Sequence, residues 1–107
     1  MNDIYTYEDL LTKYGAPVSA FHEAGSYSGR WAARTSRGWV IDYFGSCSGC
    51  DALQGCHDEV EQRQLAEGLL LVVYTQQQAL DYLEEDAAWE DDARELVEFI
   101  KANPINN

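Results

Sequence analysis

The stretch from Tyr27 to Phe44 constrains this chain more than any other. The run Tyr27 to Thr35 is followed by Ser36-Arg37-Gly38, and then by Trp39-Val40-Ile41-Asp42-Tyr43-Phe44. Two aromatic and β-branched runs joined by a short glycine-containing loop predict a β-hairpin over residues 26–44. Gly38 suits the last position of a three-residue loop, because glycine takes φ > 0 without steric cost. That loop would pair Thr35 with Trp39, Ala33 with Ile41 and Trp31 with Tyr43. Trp31, Ala33, Trp39, Ile41 and Tyr43 then share one face, the expected core face. Arg30, Ala32, Arg34, Val40, Asp42 and Phe44 share the other, with Asp42 opposite Ala32 and diagonal to Arg30 and Arg34.

Helices are expected around this hairpin. Thr6 and Asp9 form a weak capping box, with Tyr5 and Leu10 as a hydrophobic staple. They open a helix over 7–14 that Gly15 ends and Pro17 keeps from resuming. Residues 18–24 can supply a further strand. Asp58 to Glu67 reads as helical. Residues 69–74 fit either a short buried strand or the end of that helix, and Gly68 with the Val72-Val73 pair favours an extended segment. Thr75-Gln76-Gln77-Gln78 is a capping box that opens a helix reaching about residue 86, with Leu80 and Leu83 buried. A last helix spans about 88–102, where Trp89, Ala93, Leu96, Val97 and Ile100 recur at helical spacing. Asn103-Pro104 stops it. The expected fold is α+β: a small antiparallel sheet built on a β-hairpin and packed by three or four helices. With 107 residues there is room for one core, so residues 1–107 are expected to form a single globular domain.

Charge narrows the function. The chain carries a net charge of −12, unevenly spread. Residues 58–98 hold thirteen acids and only Arg63 and Arg94, a net of −11. Arg30, Arg34 and Arg37 form a basic island in the hairpin. Such a chain repels phosphate backbones, so direct nucleic-acid binding is not expected. No apolar run approaches the roughly 18 residues that a membrane span needs. The start, MNDIYTYEDL, has no basic n-region or apolar h-region, so no secretory signal is expected there.

Three constellations can carry chemistry. Cys47-x2-Cys50-x5-Cys56-His57 offers four potential zinc ligands, with Asp51 or His22 as substitutes, although adjacent Cys56 and His57 rarely both reach one metal. The same CxxC pair can serve thiol redox chemistry, or can simply fix a tight loop. Gly45, Ser46, Ser48 and Gly49 follow a strand and can cradle an anion, with Arg30 adding positive charge, which would suit a small nucleotide or phosphate. No histidine or carboxylate set has the arrangement of a placed acid, base or nucleophile, so the chain reads as not an enzyme. Two surfaces suit a protein partner. One is the hairpin, where Arg30, Arg34, Arg37 and Trp31 are residue types that anchor interfaces. The other is the last helix, where Glu90, Asp91, Asp92 and Glu95 can imitate the phosphates of DNA, or simply keep the protein in solution.

The segment Gly45-Ser46-Cys47-Ser48-Gly49-Cys50-Asp51-Ala52-Leu53 resembles a GSCSxCDA segment of small phage and prophage proteins, where it also follows an aromatic-rich strand. The capping box and its Tyr82-Leu83 ending fit the same pattern, so the likeness covers residues 26–86. It implies a phage accessory protein acting in the bacterial cytoplasm, and such proteins often inhibit host enzymes or defence systems. The leading expectation is therefore a non-catalytic inhibitor of a bacterial host or defence protein, with no cofactor. The alternatives are a zinc or thiol-redox protein centred on Cys47 and Cys50, and a small-nucleotide binder.

Overall fold

The computed structural model describes residues 4, 6–46 and 51–105. The elements in order are α1 (Tyr7–Lys13), β1 (Val18–Gly25), β2 (Gly29–Thr35), β3 (Gly38–Phe44), α2 (Glu59–Leu69), α3 (Gln76–Ala87) and α4 (Asp91–Ala102). The three strands form one antiparallel sheet in the order β1-β2-β3. The fold is α+β, and the segment 18–24 is indeed a strand.

The hairpin lies where expected, but its register differs by one residue. Thr35 pairs with Gly38, Arg34 with Trp39, Ala33 with Val40, Ala32 with Ile41, Trp31 with Asp42 and Arg30 with Tyr43. The loop therefore has two residues, Ser36 and Arg37. The Thr35 hydroxyl holds it by accepting from the Arg37 amide at 3.1 Å and donating to the Gly38 carbonyl at 2.8 Å. Gly38 is the first residue of β3, at φ +135°. A Cβ there would come within 2.7 Å of Val73 Cγ1 and 2.8 Å of the Tyr74 carbonyl. The glycine is thus required by a close crossing as well as by a turn.

This register redistributes the aromatic residues. Trp31, Ala33 and Val40 face α1 and α2, where they pack with Tyr7, Leu10, Leu11 and Ala66. Ala32, Trp39 and Ile41 face α3 and α4, among Ala79, Leu83, Ala93, Leu96 and Ile100. The single core face expected from the sequence is replaced by two, one on each side of the sheet. When both faces are covered, alternation no longer marks an inside and an outside, and a one-residue slip leaves no polar signature.

The helix ends follow local chemistry. The Thr6 hydroxyl accepts from the Asp9 amide at 3.1 Å, while the Tyr5 half of the staple lies outside the described residues. Asp58 caps α2 by accepting from the Glu61 amide at 2.9 Å. Thr75 and Gln78 form the complete reciprocal capping box. Gln76 then ties the two-helix layer to the sheet. Its Oε1 accepts from the Trp39 indole at 2.8 Å and the Ile105 amide at 3.0 Å, and its Nε2 donates to the Ile100 carbonyl. The last helix starts at Asp91 rather than near residue 88. Trp89, expected on its buried stripe, precedes the helix and is 80% exposed. Residues 69–71 end α2 and turn, and within 69–74 Tyr74 alone makes a β-bridge, an isolated antiparallel one to Trp39.

Candidate functional site

Arg30 is the centre of the charged side of the molecule. Its side chain lies on the α3–α4 face of β2 and is 2% exposed. Nη2 is 2.9 Å from Asp86 Oδ2 at the end of α3 and also donates to Glu90. Asp92 Oδ2 lies 3.7 Å from Nε, and the Tyr43 ring stacks 4.9 Å from the guanidinium. Burial works against the charge, and Asp86, Tyr43, Asp92 and Glu90 outweigh it, holding the Arg30 pKa above its ordinary value. The cluster fastens the α3–α4 connection to the sheet.

That geometry revises the expected partner surfaces. Arg30 and Trp31 do not face outward: Arg30 is held by three carboxylates, and Trp31 is fully buried, stacked 4.6 Å from Tyr7. Asp42 does not sit diagonal to Arg30, because the register puts it opposite Trp31. Arg34 Nε donates to Ser19 Oγ and Nη1 to the Pro104 carbonyl. Arg37 stays exposed. On the last helix, Asp91 pairs with Arg94 at 2.7 Å and Glu95 pairs with His22. The four acids expected to meet a partner there, Glu90, Asp91, Asp92 and Glu95, are thus all engaged within the molecule.

The loop after β3 is organised by Asp51, whose role the sequence reading missed. Asp51 is buried and accepts from Tyr7 Oη at 2.8 Å, from the Gly45 amide at 2.8 Å, and from the Leu53 and Gln54 amides at 3.0 and 3.2 Å. An aspartate that accepts from amides two and three residues ahead is an Asx-turn, and an Asp closing a Gly/Ser/Cys loop was its sequence signal. Both Asp51 carboxylate oxygens are thus occupied within the chain. Gly45 is bound on both sides, its carbonyl accepting from Gln54 Nε2 at 3.0 Å. Ser46 is exposed beside it. Cys47, Ser48, Gly49 and Cys50 lie outside the described residues. Cys56 Sγ donates to the Ala52 carbonyl, and burial, with Glu61, Asp58 and Asp51 adding to it, pushes its thiol pKa up. The His57 amide donates to Glu61. Among the described residues no three His, Cys, Asp or Glu side chains converge on a metal position.

A feature absent from the sequence reading lies along β3. A cleft of about 460 Å³ opens between α2 and α3, lined by Ile41, Asp42, Leu65, Leu69, Val72 and Tyr82 among others. A second hollow runs over Leu71–Tyr74 and Gln78. Leu71 and Val72 are largely exposed at this rim. Tyr74 and Tyr82 stack 5.3 Å apart, and burial, reinforced by Tyr43, pushes the Tyr82 phenol up to about 12. No helix among the described residues is long and apolar enough to cross a membrane. Comparison with known protein families, with curated proteins and with solved structures finds no match to the chain.

Proposed function

We propose that this is a non-catalytic binding protein that grips a basic surface on another protein with the acidic half of its own. In keeping with the resemblance at residues 45–53, it acts as a phage-type accessory protein in the bacterial cytoplasm and inhibits a host or defence protein. The observation that supports this reading is the way charge is sorted. Arg30, the central cation of the hairpin, is spent inside on Asp86, Glu90 and Asp92. Glu84, Glu85 and Glu98 have no cationic partner among the described residues, and all three are exposed. Carboxylates held outward on packed helices resemble the phosphates of DNA, so a DNA-binding protein is the partner they fit best.

Capture from bacterial lysate tests this. Wild type is expected to retain a DNA-binding protein at low salt, to release it at high salt, and to lose it to added duplex DNA. The triple variant Glu84→Lys, Glu85→Lys, Glu98→Lys leaves the Arg30 cluster intact and is expected to capture nothing. Retention that is unchanged in this variant and insensitive to salt would reject the reading.

A further inference from the structure

β3 is an outer strand of the sheet, and among the described residues its free edge is paired only at one end. The Trp39 amide donates to the Tyr74 carbonyl and the Tyr74 amide to the Trp39 carbonyl, both at 2.8 Å. Trp39 therefore turns its backbone groups away from β2. Along a strand those directions alternate, so Ile41 and Tyr43 present theirs on the same free edge. The Tyr43 amide is taken by the neighbouring Asp42 carboxylate at 2.8 Å. Among the described residues, nothing pairs with the amide or the carbonyl of Ile41 on that side. The segment that begins this outer pairing leaves it at once, since residues 69–72 turn back into α2. The 460 Å³ cleft opens where a continued partner strand would run.

We infer that the β3 edge is a strand-addition site, which takes an extended, basic segment of the partner protein antiparallel to Ile41–Tyr43 and in line with Tyr74. This rests on the reading of the chain as a binding protein and names what the cleft holds. A residue opposite Ile41 makes both of its backbone bonds, as Tyr74 does opposite Trp39. Successive side chains of the incoming strand point alternately toward Leu65 and Leu69 of α2 and toward Tyr74 and Tyr82. Apolar residues on the Leu65 and Leu69 side bury the exposed Val72 and Leu71 rim and leave the alternate positions to basic side chains. The charge of the occupant follows from its surroundings. Both flanking helices belong to the segment of net −11, and Asp42 stands on the strand itself. A second copy of this chain fits poorly, because antiparallel self-pairing about this edge would bring Asp42 against Asp42 and join two chains of −12.

The probe is a blocked synthetic hexapeptide of alternating lysine and valine, titrated into isotope-labelled protein and followed by amide NMR. Saturable binding is expected, with a shift of the Ile41 amide and slowed hydrogen exchange there. Two further peptides carry N-methyl groups on the amides of one edge or of the other. One of them is expected to bind about tenfold more weakly than the parent, and its counterpart about equally well. Equal affinities for the two methylated peptides, or binding that leaves Ile41 exchange unchanged, would overturn strand addition. Absence of peptide binding while salt-sensitive capture of the partner protein persists would also overturn it, and would leave the broader reading standing. Loss of both would sink the two together. Slowed Ile41 exchange in the peptide-free protein, with a dimer in sedimentation, would give the edge to a second copy and reject the basic occupant.

Discussion

The two faces of the sheet are held by different physics. On the α1–α2 face, Trp31 stacks on Tyr7 and packs beside Phe21, with Leu10 and Leu11 fully buried. That face gains its stability from apolar area, which salt does not screen. The α3–α4 face also has an apolar centre, in Trp39, Leu83, Leu96 and Ile100, but it ends in a buried cation shared among three carboxylates. Attraction there is offset by the cost of desolvating Arg30, so the cluster specifies where the α3–α4 connection sits more than it stabilises the fold. One face is hard to remove, and the other is easy to misplace.

The largest effect is expected on the apolar face. Trp31→Ala removes the central stacked ring and should cost about 4 kcal/mol, read by urea denaturation, with the same loss at low and high salt. Arg30→Met keeps much of the volume but leaves Asp86, Glu90 and Asp92 together without their cation. Because those carboxylates are partly exposed, the loss should be smaller, about 2 kcal/mol at low salt, and should shrink as salt screens their repulsion. Equal salt dependence for the two variants would erase the contrast between the faces. Thr75→Ala breaks the reciprocal cap of α3 and should cost about 1 kcal/mol.

A further effect is confined to alkaline pH. Burial raises the Tyr82 phenol from the ordinary 10.0 to about 12 in the folded chain. The unfolded chain then gives up that proton first, so the contribution is intact below pH 10 and is lost as pH rises toward 12. Tyr7, on the other face, is also shifted upward, by burial first, with Asp51 adding to it. Tyr82→Phe should flatten the fall in stability between pH 10 and 12 without abolishing it, as followed by thermal unfolding across that range. A slope identical to wild type would remove Tyr82 from the account.

Local signals were legible where one or two residues decide the outcome. Thr75 and Gln78 satisfy each other's backbone whatever lies around them, and the box stands as read. The hairpin's position was equally plain. Its register was not, because a two-residue loop held by the Thr35 hydroxyl fits the same residues, and the lack of room for a side chain at Gly38 comes from Tyr74, far along the chain. With both faces buried, Trp39 and Trp31 could be exchanged between sides without breaking any hydrophobic pattern. Trp89 has the right spacing for the stripe of α4, yet the Arg30 cluster draws Asp86 and Glu90 inward and delays the helix start to Asp91. The acidic half was visible as a number, but which acids point outward depends on Arg30 and His22 finding partners more than fifty residues away. The β3 cleft left no mark in the sequence except the apolar run 69–74, which has more apolar residues than the interior uses.

The bridge between Trp39 and Tyr74 also bears on the order in which the chain assembles. The two hairpins close loops of two and three residues, whereas this bridge must wait for α2 to form and turn back. Contacts between distant parts of a chain form late, because the loop entropy comes before the reward. For that interval the edge at Trp39 and Ile41 stands without its bridge, in the state in which strands of separate chains most readily pair. Asp42 sits in the middle of that edge, and the acidic segment that will flank it keeps nascent copies apart. On this view the charge that we propose meets a basic partner has an earlier use, as a chaperone built into the chain.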